Sequence, residues 1–212
     1  MPTSTAISAQ GSHIYIEGAS TTSLTITGIA KGSTTTVTAS NSLTGGEVVV
    51  FGAVAGMPEI NGLIGIVAAS PTSTEFTVQI DSSGFASDGT TGTATVKSFT
   101  EINNIADFSG FDGSTSELDK TNMQSGAMEY QAGLQDNGQF SMNIHIDNSD
   151  AGQLALRAAK TAAATKTFKL ALPNGKLRAF NGFVKKISES GGVNALHKGS
   201  VDIRITGVVA FG

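Results

Sequence analysis

Between Phe140 and Asp147 the chain reads "FSMNIHID", with Phe140, Met142, Ile144 and Ile146 alternating with Ser141, Asn143, His145 and Asp147. Successive side chains of a β-strand point to opposite faces, so this order makes a strand with one face in a core and the other in water. The same period of two returns where Val201, Ile203 and Ile205 alternate with Asp202, Arg204 and Thr206, and again in Phe168, Leu170 and Leu172. The last run meets "PNG" at Pro173 to Gly175, a turn leading into a returning strand, so a hairpin is expected there. A helical pattern stands out once, in "DNSDAGQLALRAAKTAAATK". Asp147, Asn148 or Ser149 can cap its free amides, Asp150 favours the positive end of its dipole, and Arg157 and Lys160 sit toward the other end. Leu154, Ala155, Ala158 and Ala159 form the small-residue face expected to lie close against a sheet. From Phe99 onward the expectation is therefore antiparallel sheet with one helix.

The stretch from about Ser20 to Ser98 differs in composition. It is rich in Thr, Ser and Gly, and its short apolar runs "TTTVTA", "EVVVFGAV", "LIGIVAA", "EFTVQI" and "TATVKS" are separated by turn formers such as "LTGG", "EING", "ASPTS" and "DSSG". A small all-β barrel or sandwich is expected here, with "INGL" at Ile60 to Leu63 as a tight hairpin turn in which Asn61 and Gly62 take positive φ. The chain as a whole is read as mainly β, of β-sandwich or barrel type.

Of its 212 residues 14% are charged, well below the usual quarter, and the net charge is -4 with a pI near 5.3. That leaves no basic field of the kind polyanion binders use, so specific nucleic-acid binding is not expected. Cysteine is absent, which excludes disulfides, thiolate nucleophiles and thiolate-bound zinc. The N-terminal stretch has no Lys or Arg and no apolar run of signal-peptide length, and no later run approaches a membrane span; synthesis in the cytoplasm without membrane insertion is the expectation.

A search for chemistry finds little. His13, His145 and His197 are scattered, without a second His or a carboxylate at metal-ligand spacing on a helix. "GAVAGM" lacks the Lys-Ser/Thr ending of a phosphate loop, and neither Gly-x-Ser-x-Gly nor Gly-x-Gly-x-x-Gly occurs. Asp136-Asn137-Gly138, and Asp147 with Asp150, lack the ordered ligands of a calcium loop and read as a turn and a helix cap. Glu117, Asp119 and Glu129 are close in sequence, but nothing predicts the cleft that would set two of them to acid/base work. Tyr15, Tyr130 and 11 Phe form no clustered aromatic platform. No catalytic residue, cofactor or metal is assigned, and an enzyme is not expected.

One segment fits neither a strand nor a good helix: "MQSGAMEYQAGLQDNGQF", Met123 to Phe140. With its upstream neighbours it reads Glu117-Leu118-Asp119-Lys120-Thr121-Asn122-Met123-Gln124-Ser125-Gly126-Ala127-Met128-Glu129-Tyr130-Gln131-Ala132-Gly133-Leu134-Gln135-Asp136-Asn137-Gly138. This run resembles the major tail tube proteins of long, non-contractile-tailed bacteriophages, in which "E(L/I)D-x-T-x(M/L)-x-S-x-A-x-E-(Y/F)-x-A-G-L-x-D-N-G" precedes a strand. The resemblance extends through the helix and hairpin to the C-terminus and takes "TSTAISAQGSHIYI" as the first strand. It thus covers residues 1–19 and 98–212 as one discontinuous domain, with residues 20–97 as an inserted all-β domain. The insert is similar to a small β domain of phage particle proteins marked by "G-M-x-E-(L/I)-N-G" and "D-(S/T)-x-G-(F/Y)", here "GMPEING" and "DSSGF".

The resemblance implies a virion protein of siphophage type. Homohexameric rings, with a sheet from each subunit joined into one inner barrel, stack into the conduit through which DNA is ejected. Implied partners are other copies of the chain, the tape measure protein, the tail terminator and the tail tip, with DNA only in passage. On this reading Ser116 to Gly138 is poorly ordered in the free subunit and folds onto the adjacent ring through Met123, Met128, Tyr130 and Leu134, flanked by Glu117 and Asp119. Ser141, Asn143, Asp147 and Asp202 are lumen candidates on polar strand faces, where Arg204 would have to be paired or turned outward. The insert projects from the outer wall. The rival reading is a monomeric surface-binding protein, an adhesin or carbohydrate-binding protein made of two ligand-recognising β domains.

Overall fold

Strand β1 (His13–Ala30) carries two apolar sets in one run, Ile14 and Ile16 near its start and Leu24 and Ile26 further on, and the two sets enter different cores. The computed structural model describes residue 6 and residues 8–212, so part of "TSTAISAQGSHIYI" lies outside the described residues; the strand itself begins at His13. Next come β2 (Thr35–Ala39), β3 (Val48–Ala55), β4 (Ile64–Ile66), β5 (Glu75–Val78) and β6 (Thr91–Ile102). The remainder comprises β7 (Ile105–Gly110), β8 (Ser114–Asp119), β9 (Tyr130–Asp136), β10 (Gln139–His145), α1 (Ala151–Thr161), β11 (Thr165–Ala171), β12 (Leu177–Ser190) and β13 (Lys198–Phe211). The protein is mainly β, as its alternating pattern requires.

Among the described residues, eleven strands share one antiparallel sheet in the order β4-β3-β6-β1-β11-β12-β13-β10-β7, with β2 added to β1 and β5 to β2; β8 and β9 pair only with each other. The alternating residues do what their period dictates. Phe140, Met142, Ile144, Val201, Ile203 and Ile205 are buried in a core with Ile14, Ile16, Phe168 and Phe180. The rings of Phe140 and Phe168 each lie against Phe180, at 5.5 and 5.6 Å between centroids. A second core in the Thr-rich half joins Ile26, Val37, Phe51, Met57, Ile60 and Phe76. Between the halves a small cluster packs Val48, Ile64 and Ile66 of β3 and β4 against Ala179 of β12.

Strands β1 and β6 run uninterrupted from one core to the other. Their register passes from Glu17 opposite Phe99 to Thr21 opposite Lys97, so residues 18–20 bulge out of the ladder. Glu17 anchors this crossing: it pairs with Lys97 Nζ at 2.7 Å and accepts the Thr167 N–H at 2.9 Å. Burial alone would raise its carboxyl pKa, yet the Lys97 and Thr167 hydrogen bonds outweigh burial and hold it below the usual range.

Three local expectations are corrected. Asn61 has φ -62° and ψ 129° while only Gly62 has positive φ, at 82°, because one 3-10 turn over Pro58–Ile60 feeds a type II turn. The helix cap is Asp150, whose carboxylate accepts the Gln153 N–H at 2.8 Å; Asp147 instead closes the preceding turn on Ser149. Finally, α1 buries Gly152, Gln153, Leu156 and Ala159, leaving Leu154 and Ala158 exposed. Gly152 decides that rotation, since its backbone lies so close to β6 that a Cβ there would sit 2.6 Å from Ile102 Cα. Beside it the buried Gln153 amide donates to the His145 carbonyl at 2.9 Å and the Asn103 carbonyl at 3.2 Å, and accepts the Asp147 N–H at 2.9 Å. One side chain thus ties the helix to the β6–β7 connection and the end of β10.

Candidate assembly surfaces

Residues directly opposite in an antiparallel ladder share a face, and in the wall β12-β13-β10-β7 one face is polar. Ser141 stands opposite Asp202 and Ser109, and its hydroxyl donates to Asp202 at 2.8 Å. Asn143 stands opposite Asp107 and Ser200 and donates to Asp107 at 2.7 Å. Three of the four lumen candidates, Ser141, Asn143 and Asp202, therefore lie together. Asp147 does not join them, because β10 ends at His145 and Asp147 belongs to the turn into α1. Arg204, on the same face, is held by Asp136. Lys186 opposite Asp202 and Lys198 opposite His145 also share this face.

Both sides of the wall end in unpaired backbone among the described residues. Strand β7 pairs with β10 alone, and β12 loses β11 after Phe183, so residues 185–190 pair only with β13. Each open edge is about six residues long, a length of N–H and C=O groups that invites another strand.

From one end of this wall stands a two-stranded ribbon made by β8 and β9. The segment expected to be neither strand nor helix contains β9, paired with β8 through Glu117 opposite Ala132, Leu118 opposite Gln131 and Asp119 opposite Tyr130. Its root is fastened: Asp112 accepts the Gln139 N–H at 2.9 Å, Asn137 donates to the Gly207 carbonyl, and Arg204 grips Asp136. The Asp136 carboxyl lies below its usual pKa, chiefly through the Gly138 N–H and then through Arg204. Beyond the root nothing among the described residues covers the ribbon. Leu118, Met128 and Tyr130 are more than half exposed, Leu134 is 89% and Met123 100% exposed. Adjacent ladder pairs face opposite ways, so Leu118 and Tyr130 lie on opposite faces and the ribbon has no single apolar side. Glu117 and Asp119 are exposed beside them, and the Asp119 carboxyl pKa is lowered by its hydrogen bonds from Thr121.

Other exposed apolar groups escape a reading based on the chain's alternation. A groove of about 840 Å³ opens at the ribbon's root, with Phe183, Val208 and Phe211 on its rim. The Val208-Val209 pair is a signal for it, since adjacent residues of a strand cannot both face the core, and Val209 takes the inward place. At the opposite end of the wall the β12–β13 connection leaves Val193 96% and Leu196 65% exposed.

Open strand edges and an uncovered ribbon define a structural subunit whose surface is completed by other protein. The family described as phage tail tube, TTP, lambda-like, matches residues 85–211, a span that includes both open edges, the ribbon and α1. The chain belongs to this family of phage tail tube proteins. Membership carries a structural role in the phage particle and self-assembly into a tube. Comparison with curated proteins gives no match.

Proposed function

We propose that this chain is the major tail tube subunit of a siphophage, made in the host cytoplasm. It forms hexameric rings that stack into the conduit for DNA, in company with tape measure, terminator and tip proteins. The observation that carries this reading beyond family membership is the pair of open edges. Four strands alternate in direction across the wall, so β7 and β12 run oppositely. Rotation about an axis along the strands preserves direction, and a neighbour's β7 laid beside residues 185–190 would therefore meet them antiparallel. Repetition of this heterologous contact closes a ring. Six copies of a four-stranded wall make about 24 strands; at about 4.8 Å spacing and about 40° tilt the barrel is about 48 Å across its backbone. After inward side chains that still admits a duplex.

The polar face then lines the bore, with Ser141, Asn143 and Asp202 toward the DNA. Arg204 is already held by Asp136, which removes one base that would otherwise favour phosphate binding. The ribbon, with Met123, Met128, Tyr130, Leu134, Glu117 and Asp119, engages the adjacent ring. An isolated two-stranded ribbon is marginally stable in water, which supports its ordering only on assembly. Residues 20–97 form a distinct lobe with their own core, placed on the outer wall.

Negative-stain images of the purified protein at high concentration, alone and beside purified tail tips, test the reading. Hollow rods are expected; a protein that sediments as a monomer under every condition refutes it and favours a solitary binding protein. Deletion of residues 20–97 is expected to leave tubes of normal bore, and loss of all tubes from a folded deletion variant would make the lobe part of the assembly machinery.

A further inference from the structure

The ladder register fixes where the two least covered apolar surfaces of the wall lie. Gln139 opposite Arg204 and Phe140 opposite Gly110 mark the end that bears the ribbon. His145 opposite Lys198, and Ser190 opposite Lys198, mark the other, where residues 191–197 connect β12 to β13. The strands between separate these ends by roughly 20 Å. Within one subunit the ribbon does not cover the β12–β13 connection, whose Val193 and Leu196 stay exposed, although each carries what the other lacks.

Resting on the tube reading above, we infer that the β12–β13 connection is the seat for the ribbon of the next ring. Val193 and Leu196 supply exposed apolar contact for Met128, Tyr130 and Leu134 of a second copy. The charges match as well. The ribbon carries Glu117, Asp119 and Glu129 against Lys120 alone, and neither Glu117 nor Glu129 forms an ion pair among the described residues. At the seat Lys198 is likewise without an ion pair among the described residues, and Lys186 is on the same face further along. Of the other charges at that end, Glu189 holds Arg157 at 3.1 Å and His197 at 3.4 Å, while Asp107 and Asp147 accept hydrogen bonds from Asn143 and Ser149 and keep their negative charge. Lys198 is thus a cation at the seat without an ion pair among the described residues, and the carboxylates of the ribbon are the charge that would meet it. The contact has a second effect. Carboxylates from the next ring neutralise lysines that the polar face would otherwise turn toward the bore, where each would hold passing DNA.

The absence of cysteine allows a test without background. Each of Met123→Cys, Met128→Cys and Leu134→Cys is combined in one chain with Val193→Cys or Leu196→Cys, and tubes checked by negative stain are oxidised. At least one pair is expected to give a ladder of covalent dimers, trimers and higher species in denaturing gels, while the matching single variants give none. Tubes of normal appearance that yield no ladder from any pair overturn the seat and leave the tube reading standing. Failure of the wild-type chain to form rings at all overturns both. A second measurement uses charge. Lys198→Glu is expected to leave soluble rings that stack at least tenfold less than wild type, with stacking regained when Glu117→Lys and Glu129→Lys are added. Unchanged stacking of the Lys198→Glu protein counts against the assignment.

Discussion

Replacing Gly152 by Ala sets two effects of opposite sign against each other. Alanine favours a helix over glycine by about 1 kcal/mol at an interior position, and less in the first turn where Gly152 sits. Against this, the new methyl would overlap the Glu101 carbonyl oxygen and lie 2.6 Å from Ile102 Cα, both of them backbone atoms of β6. No rotamer change relieves such contacts. Strand β6 cannot retreat, because Ile102 is paired with Ile14 and buried beneath the sheet. The helix must move outward instead, loosening Leu156 and Ala159 and lengthening the three hydrogen bonds of the Gln153 side chain. Overpacking of this kind costs about 1–3 kcal/mol, and with the lost hydrogen bonds the upper part of that range applies. Taking off the propensity gain leaves about 2 kcal/mol of destabilisation. For a chain of this size that lowers Tm by about 4–8 °C. The assay is urea unfolding of the monomer followed by circular dichroism, beside Gly126→Ala as a control, since a Cβ at Gly126 meets nothing within 4 Å. A Gly152→Ala protein as stable as wild type would refute the argument that this glycine seats the helix.

Further outcomes are expected elsewhere in the molecule. Glu17→Gln should cost about 1–3 kcal/mol by removing a charged acceptor from the β1–β6 crossing. Because the folded-state pKa of Glu17 is depressed, its contribution is complete above the unfolded value and is lost as pH falls through the lower folded value. Wild type should therefore lose more stability on acidification than Glu17→Gln, and parallel pH profiles would contradict this. Phe180→Ala should cost about 3–5 kcal/mol, since the ring is buried against Phe140 and Phe168; a thermal shift under about 4 °C would be too small. In hydrogen exchange the amides of Ser116 to Gly138 should be weakly protected in the monomer and gain protection in tubes, and equal protection in both would remove the assembly-linked ordering of the ribbon.

Strands with one face in a core were legible because burial imposes a period of two, as in β10, β11 and β13. The helix was legible too, but not its rotation, which depends on a side chain that Gly152 lacks and on backbone distant in sequence. The ribbon hid from the same reasoning. Leu118 and Tyr130 face opposite ways, and β9 slips register between Gln135 and Ala132, so no period survives. Only its motif marked it. Open edges were illegible for a deeper reason: whether β7 or residues 185–190 have a second neighbour is a property of pairing, and the residues are ordinary strand formers. The change of composition near Ser20 falls close to the bulge at residues 18–20, and the strands there continue where a linker would have broken them.

On the tube reading proposed above, a ribbon at one end of the wall and a glycine-rich turn at the other would give every column of such subunits a head unlike its tail. One terminal disc would then offer only prongs and the other only sockets. Elongation and arrest then call for two different caps, one shaped as a false prong and one as a false socket, and an agent that mimics either would poison growth from a single end.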